Sequence, residues 1–350
     1  MNILKRINVY RRSFMRSITK NIGNSHIDRN IDLTTEIEIK RVLICRPNAR
    51  LGNLLLITPL VQEVAATFPE CKIDLFVKGF LAPTIFKNYK NINYIIELPK
   101  KPFNHLIKYF QVWIKIKRQQ YDIVINVDKG SSSGRLATQF ANAKYKFFGD
   151  VDEGTQSEND DYEHMAKSPV YNFRSYLTKL GFNKNDNPIA SLDLKLSPVE
   201  MAEGHKELKK IVANEKPTIC LFTYATGDKC YSESWWEEFY ERLKSEYQNY
   251  NIIEVLPVEN ISQIAFKAPT FYSKDIREIG SLIANTEIFI GADSGIMHLA
   301  SAVKTPTVGL FSVTNSNRYQ PYNNNSVAIN TNNTNTEECI KIINRILINN

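Results

Sequence analysis

Residues 288–311 read IFIGADSGIMHLASAVKTPTVGLF. The apolar run Ile288 to Ile290 stops at Gly291-Ala292-Asp293-Ser294-Gly295. A helical apolar pattern follows with one histidine, His298, and then a second short run, Thr307 to Phe311. Strand, polar turn, helix and strand in that order form one βαβ unit, which predicts a parallel sheet. In open sheets of this kind ligands bind outside the carboxyl ends of the strands, where Asp293, Ser294 and Gly295 stand. Asp293 or Ser294 can cap the helix. The next backbone N–H groups then lie at the positive end of the helix dipole and suit an anion such as a diphosphate. Gly295 permits a close approach, and His298, one turn in, can reach a phosphate or sugar oxygen. The same residues fit an ordinary capped helix with a structural histidine equally well.

Outward from this unit the alternation continues. Strands are expected at 41–45, 72–77, 94–99 and 121–128, with helices at 53–68, 103–120 and 133–143; Pro59 marks a kink or a late helix start. Residues 151–170 are polar and acidic and are expected to form a loop, 171–181 a helix, and 183–198 a linker. Ser197-Pro198-Val199-Glu200 reads as a capping box opening a helix. Further strands are expected at 217–224, 251–258 and 307–311, and helices at 234–247, 275–286 and 336–349. The predicted division is a basic extension (1–40), a Rossmann-like domain (41–185), a linker and connecting helix (186–215), a second Rossmann-like domain (216–330) and a C-terminal helix (331–350).

Composition narrows the function classes. A chain of 350 residues that is 43% hydrophobic can bury two cores. Of the net +7, six charges come from Lys5, Arg6, Arg11, Arg12, Arg16 and Lys20, and residues 1–20 hold no acid. The remaining body is nearly neutral, which argues against a nucleic-acid binder. Ile3, Ile7, Tyr10, Phe14, Ile18 and Ile22 form a helical stripe through that basic segment. Residues 1–22 therefore suit an anionic membrane surface, or else a docking or disordered extension. No apolar run reaches the length of a bilayer span. The five cysteines are scattered without a C-x-x-C pair, which fits reduced thiols of a cytoplasmic protein and no metal cluster.

Three other strand ends carry polar residues. In TYATGDKCYSESWW (223–236), Thr226, Gly227 and Lys229 follow a strand, and a lysine suits a diphosphate as a point charge. In LPVEN (256–260), Glu259 can accept from ribose hydroxyls, with Pro257 and Val258 beside a base. In RPNARLGNLLL (46–56), Gly52 allows close packing or a sharp turn, Asn53 opens a helix, and Arg46 and Arg50 add positive charge. The strand end at INVDKGSSSG brings Asp128 and Lys129.

RVLICRPNARLGNLLLITPLVQEVAATFPECKIDLFV, YDIVINVDKG and the opening stretch, in this order, resemble glycosyltransferase family 9, the ADP-heptose:lipopolysaccharide heptosyltransferases and relatives. The likeness covers about residues 41 to 322. It implies an α/β GT-B fold: two Rossmann-like domains with parallel sheets facing across a cleft. The C-terminal domain would take a nucleotide-diphospho-sugar, an ADP-sugar as substrate, and the N-terminal domain a glycan or glycolipid acceptor. Inverting transfer without a metal or other cofactor is implied. Lys229 and Thr226 resemble the family's phosphate-contacting pair, Glu259 its nucleoside-contacting acid, and Ser294 and Gly295 its diphosphate donors, with Asp293 and His298 ordering the loop. One departure stands out. The family commonly has L-G-D where this chain has Leu51-Gly52-Asn53, and an amide cannot take the proton that the aspartate takes. Asp128, or Asp150 or Asp152, can substitute as base; the acceptor proton can leave late; or activity has been lost. A nucleotide-sugar-binding scaffold and a GT-B epimerase or hydrolase are the competing expectations.

Overall fold

The computed structural model describes Ser17, Ile22, Gly23, residues 38–100 and residues 105–348. Apart from Ser17 and Ile22, the basic helix expected over residues 1–22 lies outside the described residues. The chain divides into two compact units. Unit 1 takes Met1–Ala49, Pro59–Pro83 and Tyr89–Ala190; unit 2 takes Arg50–Thr58, Thr84–Asn88 and Ser191–Asn350.

Unit 1 is built on five strands: β1 (Arg41–Arg46), β2 (Lys72–Lys78), β3 (Ile92–Leu98), β4 (Gln120–Asn126) and β5 (Asn142–Phe147). They lie in the order β3-β2-β1-β4-β5, and every pair is parallel. β1 and β4 lie inside the sheet, and the buried stretches VLIC of β1 and IVI of β4 are apolar on both faces. Several polar side chains are buried in this unit, and two of them, Asp74 and Arg135, are held by hydrogen bonds. Asp74 accepts from Arg41 at 2.8 Å and Tyr121 at 3.1 Å. Arg135 donates to the Ile22 and Gly23 carbonyls at 2.6 and 2.7 Å.

The helix expected over 53–68 is split at Pro59. α1 (Leu51–Leu55) ends where the Thr58 hydroxyl donates to Leu55 O at 2.7 Å, and α2 (Thr58–Thr67) starts there. A proline has no N–H for the ladder and fits only the first turn of a helix. After α3 (Ala82–Ile85), α4 (Leu106–Arg118) and α5 (Ser132–Phe140) cover the sheet. Residues 151–170, expected as a loop, contain α6 (Glu153–Glu158) and the start of α7 (Ser168–Lys179). The Asp152 side chain caps α6 by accepting from Thr155 N at 2.9 Å, a local signal outweighed in the sequence by the polarity of the segment.

Unit 2 carries α8 (Pro198–Val212), β6 (Thr218–Phe222), α9 (Glu233–Glu246), β7 (Asn251–Val255), β8 (Thr270–Phe271), α10 (Ile276–Ile283), β9 (Ile288–Ala292), α11 (Gly295–Ala302), β10 (Thr307–Phe311), α12 (Ser316–Tyr319), β11 (Val327–Asn330) and α13 (Thr336–Ile348). Its six parallel strands run β11-β10-β9-β6-β7-β8. Trp236, Phe239 and Leu243 of α9 and Ile340 and Ile343 of α13 pack on Ile219, Leu221, Ile290 and Val308 of the sheet. The predicted capping box is formed in full by Ser197 and Glu200. Cys45, Cys71, Cys220 and Cys339 are buried and unbridged, and burial pushes the Cys45 thiol up to about 12.

Candidate functional site

β6 and β9 are neighbours in the unit 2 sheet, with Phe222 opposite Gly291. Parallel neighbours release their following loops at the same edge, so the residues after Phe222 and after Ala292 emerge side by side. From the first loop comes a 3-10 turn, Gly227–Lys229, and from the second Asp293 and Ser294. Gly227 has φ +66°, a left-handed conformation for which glycine is suited, and open space surrounds its Cα. The turn delivers Lys229 Nζ to 2.6 Å from Asp293 Oδ2, where the aspartate side chain is only 6% exposed.

This pairing decides the electrostatics of the corner. An unpaired carboxylate would repel a diphosphate; neutralised by Lys229, it instead fixes the lysine. One of the ammonium's three N–H donors serves Asp293, which leaves two for a ligand. The Ser294 hydroxyl caps α11 by accepting from Met297 N at 3.3 Å. The amides of Gly295 and Ile296 precede that capped position and have no partner within a helix. Lysine and helix start thus present donors and positive potential on one sheet edge. Thr226 is exposed at the start of the 3-10 turn, and its side chain makes no capping bond. Glu259 is exposed in the turn after β7, the next strand over, so its loop leaves by the same edge.

Gly295 and His298 also take part in the packing against α1. A Cβ on Gly295 would lie 3.1 Å from Leu51 Cβ and 3.3 Å from Gly52 N. The bare side of Gly295 therefore receives α1, a close approach of backbone to backbone. His298 is 4% exposed, and a Cβ on Gly52 would fall 2.7 Å from its Cδ2. The ring also lies 6.4 Å from Tyr319. Gly52, Gly295 and His298 thus form one packed corner of unit 2, with Asn53 the next residue of α1, because Arg50–Thr58 belongs to that unit.

Asp128 belongs to unit 1, at the end of β4. Arg46 Nη1 donates to Asp128 Oδ2 at 2.7 Å, and Gly130 N donates to Oδ1 at 2.9 Å. The carboxylate is held in one orientation while its side chain stays 39% exposed. Among the other base candidates, Asp150 pairs with Lys129 at 3.5 Å. Asp152 caps α6 and pairs with Lys179, which with the Thr155 amide holds its carboxyl well below the usual carboxylate range. Such a carboxylate is a poor proton acceptor. A polar cavity of about 460 Å3 within unit 1 is lined by Asp152, Tyr171, Arg174, Lys179 and Lys184. Its cations are engaged, Arg174 by Glu63 at 2.7 Å and Lys184 by Asp186 at 3.1 Å.

One supporting group escaped the sequence reading. Glu254 on β7 is fully buried and accepts from Thr223 at 2.5 Å and Ser262 at 2.6 Å. Burial raises its pKa, the two hydroxyls opposing the shift. Thr223 in turn accepts from Gln263 N at 3.1 Å, so the network ties the loop before Lys229 to the loop after Glu259. The available signal was a lone acid inside the apolar run NIIEVLP.

Comparison with known proteins gives consistent matches. Residues 109–346 match the family described as glycosyltransferase family 9 (heptosyltransferase). Lipopolysaccharide heptosyltransferase 3 of Escherichia coli is 24% identical over 294 residues, covering 79% of this chain and 85% of that one. A glycosyl transferase family 9 structure from Veillonella parvula DSM 2008 superposes with a TM-score of 0.71 at 16% identity, covering 90% and 99% of the two chains. The E. coli heptosyltransferase WaaC with ADP-2-deoxy-2-fluoro heptose gives 0.60 at 15% identity, covering 87% and 99%.

Proposed function

Since the chain belongs to glycosyltransferase family 9, the heptosyltransferase family, we propose that it transfers a heptose or related sugar from an ADP-sugar to a hydroxyl of a lipopolysaccharide-type glycan. Residues 216–330 hold the donor and residues 41–185 the acceptor. The observation that carries the reading is the Lys229–Asp293 pair at 2.6 Å beside the capped start of α11. The relatives support the choice of donor, since one has been solved with an ADP-heptose analogue.

In the proposed step the acceptor oxygen attacks the anomeric carbon from the face opposite the diphosphate. The carbon–oxygen bond to the diphosphate breaks, ADP leaves, the sugar configuration inverts, and the acceptor proton passes to a base. Charge grows on the departing diphosphate. Lys229 and the amides at Gly295 and Ile296 stabilise that charge, in the role a metal ion plays elsewhere. Thr226 contributes a hydroxyl, and Glu259 accepts from the ribose. Asp128, oriented by Arg46, takes the proton, since Asn53 cannot. Residues 1–22 hold the enzyme at the cytoplasmic leaflet, where lipid-linked acceptors reside.

The test is a thermal-shift screen of ADP-, UDP-, GDP- and dTDP-sugars, because a ligand selective for the native state raises Tm. ADP-sugars are expected to give the largest rise. Lys229→Ala should then weaken the preferred donor by about 1.5–3 kcal/mol, the loss of a charge-assisted hydrogen bond. Donor affinity unchanged in that variant would remove Lys229 from the site. A second reading, a donor-binding scaffold without transfer, is favoured by Asn53 alone. Donor binding without product on any acceptor pool would support it, and release of free sugar without acceptor would indicate a hydrolase.

A further inference from the structure

α4 is amphipathic in an unusual sense. Its inner side places Val112 and Ile116 in the unit 1 core, with Tyr109 and Trp113 packed against it. Its outer side is also apolar: Ile107 is 78% exposed, Phe110 63% and Ile114 49%. Spacings of three and four put these three on one line along the helix. Two further exposed aromatics border it. Phe140, 53% exposed, has its ring 6.0 Å from that of Trp113, and Phe80, 63% exposed, lies 5.3 Å from Lys108 Nζ. A surface helix ordinarily turns a polar face outward, and an apolar strip of this kind marks an interaction surface.

Cations dominate the charge around the strip; the acid near it, Glu97, has its pKa raised by burial, with the charge of Lys108 opposing the shift. Between Glu97 and Asp122 the chain has no acidic residue but has Lys100, Lys101, Lys108, Lys115, Lys117 and Arg118. Lys117 and Arg118 are exposed at the C-terminal end of the strip, and Lys115 lies over the Tyr94 ring at 4.7 Å. Lys146 on the neighbouring β5 has its pKa lowered, first by burial and then by the charge of Lys117, so the cations there crowd one another.

The occupant must therefore accept apolar side chains and cations together. A second copy of the chain would set lysines against lysines. The chain's own residues 1–20, with six cations and no acid, would do the same. A bilayer with anionic headgroups satisfies both demands: its phosphates meet the lysines, and its headgroup–acyl boundary takes Ile107, Phe110 and Ile114. We propose that the outer face of α4 is a docking surface for an anionic phospholipid bilayer. The proposal needs neither the donor site nor residues 1–22, so its failure would leave the transferase reading intact.

The experiment uses the full chain and vesicles of phosphatidylcholine with or without phosphatidylglycerol. The protein is expected to sediment with the anionic vesicles and to be released by salt. Each cation near an anionic surface is worth roughly fivefold in partitioning. Lys117→Gln with Arg118→Gln should therefore lower binding by about 25-fold. The triple variant Ile107→Ser, Phe110→Ser, Ile114→Ser should lower it by at least about tenfold. A third variant reports position instead of loss: Phe110→Trp should show added fluorescence that brominated phospholipid quenches. Vesicle-bound Phe110→Trp protein with no quenching would overturn the proposal, as would undiminished binding by the first two variants. Binding to neither vesicle would rule out a bilayer as the occupant. Salt-independent dimerisation lost in the triple variant would assign it to a second copy. Either result would also overturn the proposal.

Discussion

Lys229 and Asp293 stand 64 residues apart in the chain and 2.6 Å apart in space. Each could be singled out in the sequence, because each follows a strand-like run in a polar turn. Their pairing could not, since it depends on β6 and β9 being adjacent in a sheet whose order is not the chain order. The Asn53 question belongs to this scale too. Asp128 has a guanidinium on one oxygen, an amide on the other, and an exposed flank. With Asp128 as the base, Asp128→Asn is expected to lower kcat by about 10²–10⁴-fold with donor affinity unchanged. Asn53→Asp is expected to leave that loss uncorrected in the double variant. Steady-state kinetics with an acceptor pool and calorimetry with the donor check both; an active Asp128→Asn enzyme would remove Asp128 from the role.

Elements are placed by contacts that glycine and arginine permit. Gly204 of α8 lets the helix lie against α10 so closely that a Cβ would be 2.2 Å from Ser281 O. Beside this contact the buried Arg277 guanidinium binds Glu200 at 2.6 and 2.8 Å and the carbonyls of Thr84, Leu194 and Lys195. Arg277, followed by the Ser197 capping contacts, holds the Glu200 carboxyl well below the usual carboxylate range. The folded form thus binds its proton less readily than the unfolded chain, whose glutamates titrate near about 4.3. The stabilisation is complete above that value and is lost as pH falls below it toward the depressed folded value. Glu200→Gln should destabilise the protein at neutral pH by about 3 kcal/mol, because it leaves a buried guanidinium without its counter-charge. In denaturant melts the stability gap between the two proteins should hold above roughly pH 5 and shrink progressively as pH falls below about 4 toward the depressed folded value. A gap independent of pH would show that the ion pair is not its source. The capping box of α8 was legible from Ser197-Pro198-Val199-Glu200; the partnership with Arg277 was not, because neither residue announces a partner 77 positions away.

Across the whole molecule, charge is segregated: residues 1–20 carry six of the net seven positive charges, while residues 21–350 are close to neutral. Among the described residues no helix is long and apolar enough to cross a membrane. Removal of residues 1–20 is therefore expected to reduce partitioning onto anionic vesicles at least tenfold, given roughly 1 kcal/mol per cation, and to leave donor binding unchanged. The cut falls before Ile22, since Arg135 binds the Ile22 and Gly23 carbonyls and that contact should be kept. Binding that remains should be salt-sensitive and carried by α4. Vesicle sedimentation and the donor thermal shift, run on the same preparation, measure the two effects separately; equal partitioning by both forms would defeat the role of the segment.

The sequence by itself determined the alternation of strands and helices, and with it the parallel sheets. Apolar runs of strand length and stripes of helical period are local properties of the chain. It also determined the family likeness and a capped start for α11 at Asp293 or Ser294, because a strand, a polar turn and a helix are contiguous; the structure gives the cap to Ser294. Only the tertiary structure decided that α1, which follows the first strand of unit 1, packs in unit 2 against Gly295 and His298. The reason is steric: two glycines, Gly52 and Gly295, remove the side chains that would keep those helices apart, and nothing in either local pattern reveals the other. Strand order likewise decided which loops meet, since the backbone pairing of β6 with β9 joins segments that the chain itself keeps far apart.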